Sequence, residues 1–176
     1  MRKIPPKLDE IGLWDYALRL LAHRPYSVGE LERKLALRAD SGTTVAAAIA
    51  KLSEYGLADD VKFAETFAGS RLRNRGFGRS RVLQELRARC VPQSLANEVV
   101  EKAFAGTDEA QLIERYLARK YRGKDLTRVL QERKNLAAAY RNLRIAGFSS
   151  STSLMVLKRF SQMAETCGDA EPSEEY

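Results

Sequence analysis

Apolar residues recur along this chain at helical spacing in three similar stretches. Leu31 and Leu35, Val82 and Leu86, and Ala139 and Leu143 hold matching positions, and the turn after each pair falls at Ala39, Cys90 and Gly147. A four-residue spacing places such side chains on one helix face, and a pattern that returns along the chain predicts tandem helical units. Small stacked units present grooves and long faces, which suit docking better than chemistry.

The pattern predicts a helix from Leu13 to Ala22, with Leu13, Ala17, Leu20 and Leu21 on one face and Trp14 capping the core, ended by Pro25. Ser27 and Glu30 have capping-box spacing, and the next helix, from about 28 to 39, buries Leu31 and Leu35. After a break at Asp40-Ser41-Gly42-Thr43, Val45, Ile49 and Leu52 restore helical spacing up to Tyr55-Gly56. The aspartates of Leu57-Ala58-Asp59-Asp60 are placed to cap a helix carrying Phe63, Ala64, Phe67 and Leu72. Gly76 and Gly78 mark a turn before helices at about 79 to 89 and 93 to 104, the second of which tolerates Pro92 near its start. Gly106-Thr107-Asp108-Glu109 opens a helix through Leu112, Ile113, Tyr116 and Leu117; the stretch Leu126 to Ile145 has helical composition; and a last short helix presents Leu154, Val156, Leu157 and Phe160. Gly147 closes the helix before it, with Phe148 packing back.

This reading gives an all-α chain of elongated tandem repeats, divided at 13–57, 58–105 and 106–161. Residues 162–176 are expected to form a disordered acidic tail, because Glu165, Asp169, Glu171, Glu174 and Glu175 stand there without a basic residue.

Composition narrows the function classes. The 176 residues carry a formal charge of +7 and a pI near 9.5. The excess is concentrated: Arg71, Arg73, Arg75, Arg79, Arg81, Arg87 and Arg89 face only Glu85 between residues 71 and 89, and a second basic run begins at Arg119 and Lys120. Such a surface favours an anionic partner, either nucleic acid or an acidic protein face. No apolar run is long enough for a membrane span, and no apolar stretch follows Met1-Arg2-Lys3 as in a signal peptide, so cytoplasmic residence is expected. Cys90, Cys167 and the single His23 form no zinc pattern, and no cofactor is expected.

Several residues resemble the RecX family of regulatory proteins. They are Arg24, Ser27, Glu30-Leu31 and Lys34-Leu35, then Leu52-x-x-Tyr55-Gly56-Leu57-x-Asp59-Asp60-x-x-Phe63-Ala64-x-x-Phe67, followed by Arg71, Gly78-x-x-Arg81-Val82-x-x-Glu85-Leu86, Arg144-x-x-Gly147-Phe148 and Val156-Leu157. The resemblance covers roughly residues 13 to 160. Its departures are Ala39 and Cys90 where turn glycines are usual, Asp40 in place of an apolar residue, and Ser153 at an apolar position of the last helix. The resemblance implies tandem three-helix repeats that bind, without enzymatic activity, in the groove of the RecA recombinase filament on single-stranded or double-stranded DNA. It also implies inhibition of that recombinase's recombination and DNA-dependent ATPase activities, by a monomer. A stand-alone helical DNA-binding module is the alternative.

The candidate contact residues are Arg71, Arg73, Arg75, Arg79, Arg81, Arg87, Arg89, Arg119, Lys120, Arg122 and Lys124. Arginine can meet phosphate or carboxylate with paired hydrogen bonds, although any single one can equally be a solvated helix charge. Asp59 and Asp60 read as helix caps rather than metal ligands or catalysts, and Glu30 and Glu85 lack a paired acid for acid–base work. Arg122-Gly123-Lys124 lacks the spacing of a phosphate loop. Phe77 and Tyr121 stand beside basic turns, where an aromatic ring can stack on an unpaired base.

Overall fold

The computed structural model describes the backbone of residues 7–168 and the side chains as far as Ser161. Within these residues the chain forms α1 Glu10–His23, α2 Val28–Ala36, α3 Gly42–Glu54, α4 Asp60–Ser70, α5 Arg79–Ala88, α6 Gln93–Phe104, α7 Glu109–Lys120, α8 Leu126–Gln131, α9 Arg133–Ile145 and α10 Ser150–Gly168. A π-helical turn, Arg71–Arg75, continues α4. Among the described residues there is no strand, only one parallel bridge between Leu8 and Ala39. The fold is the all-α arrangement of small helical units that the periodicity predicts.

The described helices gather into two compact units. One takes the residues up to Gly69 together with Leu83–Ala103, and the other takes Ser70–Val82 together with the residues from Phe104 onward. The division therefore falls inside α5, and the stretch 58–105 is shared between the units. In the first unit Leu13, Ala17, Leu31, Leu35, Ala48 and Leu52 form one core, edged by Trp14, Leu20, Leu21, Val45 and Ile49. Full burial of each leucine is worth about 1.5–3 kcal/mol. In the second unit α10 packs on α7, α8 and α9. Phe148 is fully buried there, edge-on to Tyr116 with ring centres 5.6 Å apart.

The three repeat positions meet the structure closely. Leu31, Val82 and Ala139, and Leu35, Leu86 and Leu143, are all completely buried. After α5 the Cys90 N–H donates to Arg87 O and the Val91 N–H to Leu86 O; after α9 Gly147 and Phe148 repeat both bonds, to Arg144 O and Leu143 O. These pairs close each helix in the same left-handed cap, with φ +60° at Cys90 and +89° at Gly147. After α2 the pattern breaks. Ala39 does not take a positive φ, and Asp40 N–H donates to Leu8 O at 3.3 Å, while Leu8 N–H donates to Arg38 O at 2.7 Å. An extended chain at Ala39 and the bridge to Leu8 replace the left-handed turn, which also accounts for a polar Asp40 where the other two turns bury Val91 and Phe148.

One carbonyl position recurs through these caps. Arg38 O accepts from Leu8 N–H, Arg89 O from the Ser27 hydroxyl, and Ala146 O from Gly78 N–H. Each helix-ending carbonyl that lacks a partner in its own helix is thus satisfied by a neighbouring segment. At the Arg89 and Ala146 contacts the backbones approach so closely that side-chain carbon is excluded on at least one side. A Cβ on Gly29 would lie 2.7 Å from both Cβ and O of Cys90, and a Cβ on Gly78 would meet Gly147 and Phe148 backbone.

Several expectations are corrected. Leu126 to Ile145 is not one helix: Glu132, at φ −73° and ψ 122°, separates α8 from α9. Neither glycine nor proline marks this break; what it achieves is burial of Leu130 in a short helix packed on α10. Leu154 is 47% exposed, and Ser153 is fully buried in its place with no hydrogen-bond partner for its hydroxyl. The inward face of α10 runs through Ser153, Val156, Leu157 and Phe160, a regular helical spacing that leaves Leu154 a hundred degrees away. α2 ends at Ala36 rather than Ala39. α10 is long rather than short and continues to Gly168; the acidic tail expected at 162–176 lies, from residue 169 on, outside the described residues.

Candidate polyanion-binding surface

The most specific sequence stretch proves to be structural. Asp59 caps α4 by accepting from Lys62 N–H at 3.0 Å, whereas Asp60 reaches to the first turn of α2 and accepts from Val28 N–H at 2.8 Å. Burial, with a smaller push from Asp59, holds the Asp60 carboxyl above its ordinary value despite that bond. The adjacent aspartates therefore tie two helix starts of the first unit.

The expected capping box is half formed. Ser27 Oγ accepts from Glu30 N–H at 3.1 Å, but the Glu30 carboxylate turns away from the Ser27 amide and is held by Arg24 at 3.0 Å and Arg89 at 3.2 Å. Burial alone would raise the Glu30 carboxyl; hydrogen bonds and charge from the two guanidiniums outweigh it and hold it below the ordinary range. Two cations attract a partly buried carboxylate more strongly than one amide does. Arg24 also lies 3.6 Å over the Tyr26 ring and Arg89 lies 5.7 Å from the Phe67 ring centre. Of the predicted contact residues in the first unit, then, Arg89 is engaged in its fold and Arg87 is exposed.

The remaining candidates lie in the second unit. Arg73 and Arg75 are exposed on the π-helical turn, Arg71 and Arg81 are half-buried, and Arg79 is exposed at the start of α5. Arg119, Lys120, Arg122 and Lys124 are exposed at the end of α7 and in the turn behind it. Arg119 joins the two runs: its guanidinium donates to Asn74 O at 3.2 Å and to Arg75 O, the last carbonyls of the π-helical turn, whose Gly76 cap is left-handed at φ +59°. A cation satisfying helix-end carbonyls is favoured by the helix dipole, and here it sets Arg73 and Arg75 beside the Arg119–Lys124 turn. Arg81 stands 5.7 Å from the Phe77 ring centre, so that aromatic already has a cation on it. Tyr121 is half-buried in the basic turn.

In this unit a cleft of about 350 Å³ is lined by Gly78, Arg79, Ser80, Phe104, Thr107, Glu109, Leu112, Gly147 and Ser149. Glu109 accepts from Ser149 N–H at 2.8 Å and Oγ–H at 2.6 Å, closing the start of α10. Burial would raise this carboxyl, but the Ser149 and Thr152 bonds and the charge of Arg79 hold it lower. No sequence motif announced Glu109–Ser149, Arg24–Glu30–Arg89 or the Arg119 cap, because each depends on residues distant in the chain. Among the described residues no group of three His, Cys, Asp or Glu side chains is placed to hold a metal, and no helix is long and apolar enough to cross a membrane.

Comparison with known proteins places this architecture. Residues 14–52 match the model of the first three-helix domain of RecX, and residues 59–100 that of the second. A regulatory protein RecX of Halorhodospira halophila is 45% identical over 89 residues, covering 51% of this chain and 55% of the relative, so the match spans little more than half the relative's length. One from Trichlorobacter lovleyi is 33% identical over 109 residues, covering 62% of this chain and 71% of the relative. The crystal structure of RecX from Lactobacillus salivarius superposes with a TM-score of 0.63 at 19% identity, over 88% of this chain and 97% of that one, a likeness of fold. With two three-helix domain matches, a relative covered over most of its length and the shared fold, the chain belongs to the RecX family of regulatory proteins.

Proposed function

We propose that this protein docks on the RecA recombinase filament assembled on DNA and inhibits its recombination and DNA-dependent ATPase activities. The observation that carries the reading is the exposed basic surface of the second unit, where Arg119 pins the Arg73–Arg75 turn beside Lys120, Arg122 and Lys124. Two clustered runs of one sign attract a polyanion or an acid-lined groove from a distance and hold it by many weak contacts, as regulation by docking requires. Membership of a family of regulatory proteins supports a binding role. On this reading the protein acts as a monomer in the cytoplasm, without catalysis and without a cofactor.

Arg71, Arg73, Arg75, Arg79, Arg81, Lys120, Arg122 and Lys124 are assigned to the partner, Arg87 extends the same role into the first unit, and Arg89 and Arg119 act partly by holding the fold. The test is co-sedimentation with recombinase filaments on single-stranded DNA at near-physiological salt. The variant Arg73→Glu/Arg75→Glu/Arg122→Glu should keep its helicity and lose at least about tenfold in association, a loss that shrinks as salt rises. Unchanged association would overturn the assignment. The stand-alone DNA-binding reading makes a different forecast: tight DNA binding by the isolated protein, unaltered by recombinase.

A further inference from the structure

The cleft beside Arg79 holds chemistry that a basic surface alone does not need. Its volume of about 350 Å³ lies within the range of small-molecule sites, about 300–1,000 Å³. Phe104 and Leu112, 7% and 5% exposed, supply its apolar lining. Two groups of opposite charge complete it. Arg79 is exposed at the start of α5, its guanidinium 5.9 Å from the Phe104 ring centre, and Glu109 presents a partly buried carboxylate. That carboxylate is fixed in place: Oε1 accepts from Ser149 N–H at 2.8 Å and Oε2 from Ser149 Oγ–H at 2.6 Å. Each carboxylate oxygen has room for a second hydrogen bond, so the anchored group still offers a pair of acceptors to a ligand. A free anion entering the cleft would be repelled by Glu109, and a cation by Arg79. A flat neutral ligand with paired donors and paired acceptors on adjoining edges satisfies both.

We propose that this cleft takes an unpaired guanine base from a single strand whose phosphates lie on the basic surface. The proposal rests on the reading of that surface as one that meets a polyanion, and it adds a pocket that reads a base. Guanine is selected by its edges: O6 and N7 accept from an arginine fork, while N1–H and the 2-amino group donate side by side to a carboxylate. No other common base places two donors beside two acceptors. The chain itself keeps the two sites close. Arg79 follows Arg75 by four residues, so their Cα atoms lie at most about 14 Å apart, a span of about four stacked nucleotides.

The test titrates the native full chain, at low salt, into labelled oligothymidines that differ only in the central base, with fluorescence anisotropy as the readout. Guanine at the centre should bind at least about fivefold more tightly than thymine, adenine or cytosine. Central hypoxanthine, which lacks the 2-amino group, and 7-deazaguanine, which lacks N7, break the Glu109 and Arg79 contacts in turn without altering the protein, and each should lose most of the gain. Thr107→Trp, which places an indole in the cleft, should abolish the preference. Arg73→Glu/Arg75→Glu/Arg122→Glu should weaken every oligonucleotide by a similar factor and keep it. Equal affinity for all central bases, with salt-sensitive binding retained, would overturn the pocket and leave the basic surface standing. Absence of binding to every oligonucleotide would remove nucleic acid as the ligand of both. A guanine preference that survives Thr107→Trp would overturn the assignment to this cleft, and loss of filament association in Thr107→Trp without any base preference would give the cleft to a protein segment instead.

Discussion

Cys90 and Gly147 stand at the same position of two equivalent turns, one in each unit, and solve the same problem in opposite ways. Both residues adopt the left-handed backbone that closes a helix, and both lie against the start of another helix. At Cys90 the Cβ is present and the facing residue, Gly29, has none. At Gly147 the Cβ is absent, and a carbon built there would fall on the backbone nitrogen and Cβ of Arg81. The Gly29–Cys90 contact leaves out one Cβ and the Gly78–Gly147 contact leaves out both, because carbon added at Gly78 or at Gly147 would fall on backbone. That choice between one missing Cβ and two explains why the turn residue after α5 carries a side chain and the one after α9 does not, a distinction invisible in a single sequence, where both look like departures from or matches to one pattern.

The largest expected effect follows from removing that choice. Gly147→Ala adds carbon to a backbone contact and strains a left-handed residue, so it should cost more than about 3 kcal/mol in chemical denaturation. Gly29→Ala should cost about 2 kcal/mol, because Cys90 presents its own Cβ as well as a carbonyl oxygen at 2.7 Å. Adding Cys90→Gly to Gly29→Ala should recover part of the loss, since the Cβ clash disappears and the carbonyl clash stays. Equal stability of the single and double variants would show that the Cβ pair does not set the packing.

Cys90→Gly alone should stabilise the protein slightly, by about 0.5–1 kcal/mol, as relief of the left-handed strain exceeds the entropy of the new glycine. A clear loss would mean that the thiol, 3.2 Å from the Arg33 guanidinium, contributes more than the strain.

The smallest effects concern acid. Glu30 in the first unit and Glu109 in the second both have carboxyls held below their ordinary value. Their contribution is complete above the unfolded carboxyl pKa of about 4.3 and is lost as pH falls through the lower folded value. Glu30→Gln and Glu109→Gln should therefore lower stability at neutral pH and flatten its fall below about pH 4.5; the half-buried Asp60, shifted upward, opposes this trend as pH rises. An unaltered acid limb in both variants would contradict the assignment of these carboxylates as ionised anchors.

What the sequence made legible follows the range of the forces. Helix existence and the buried positions Leu31, Leu35, Val82, Leu86, Ala139 and Leu143 come from spacing within one helix, and they read directly. Ser27, Ser41, Asp59, Asp108 and Asp125 cap their own helices through bonds to amides a few residues on, and such local bonds leave a mark in the sequence. The break at Glu132, the inward turn of Ser153 and the carboxylate of Glu30 leave none, because packing of α10 and two arginines outside the Glu30 helix, one of them 59 residues away, decide them. The basic surface was legible as composition, while the Arg119 cap that assembles it was not.

The same contrast separates the units in charge. In the first, Arg24 and Arg89 meet the partly buried Glu30 and are engaged in the fold, and Lys102 meets Glu65 at 2.8 Å on the surface. In the second, arginines stand exposed on a turn held from behind by Arg119. Titrating the protein into the DNA-stimulated ATPase of the RecA recombinase proposed as its partner, beside the Arg73→Glu/Arg75→Glu/Arg122→Glu variant, measures that contrast as function. The account predicts inhibition by the native chain at near-stoichiometric amounts and at least about tenfold weaker inhibition by the folded variant. Equal inhibition by both, or none by the native chain, would contradict it.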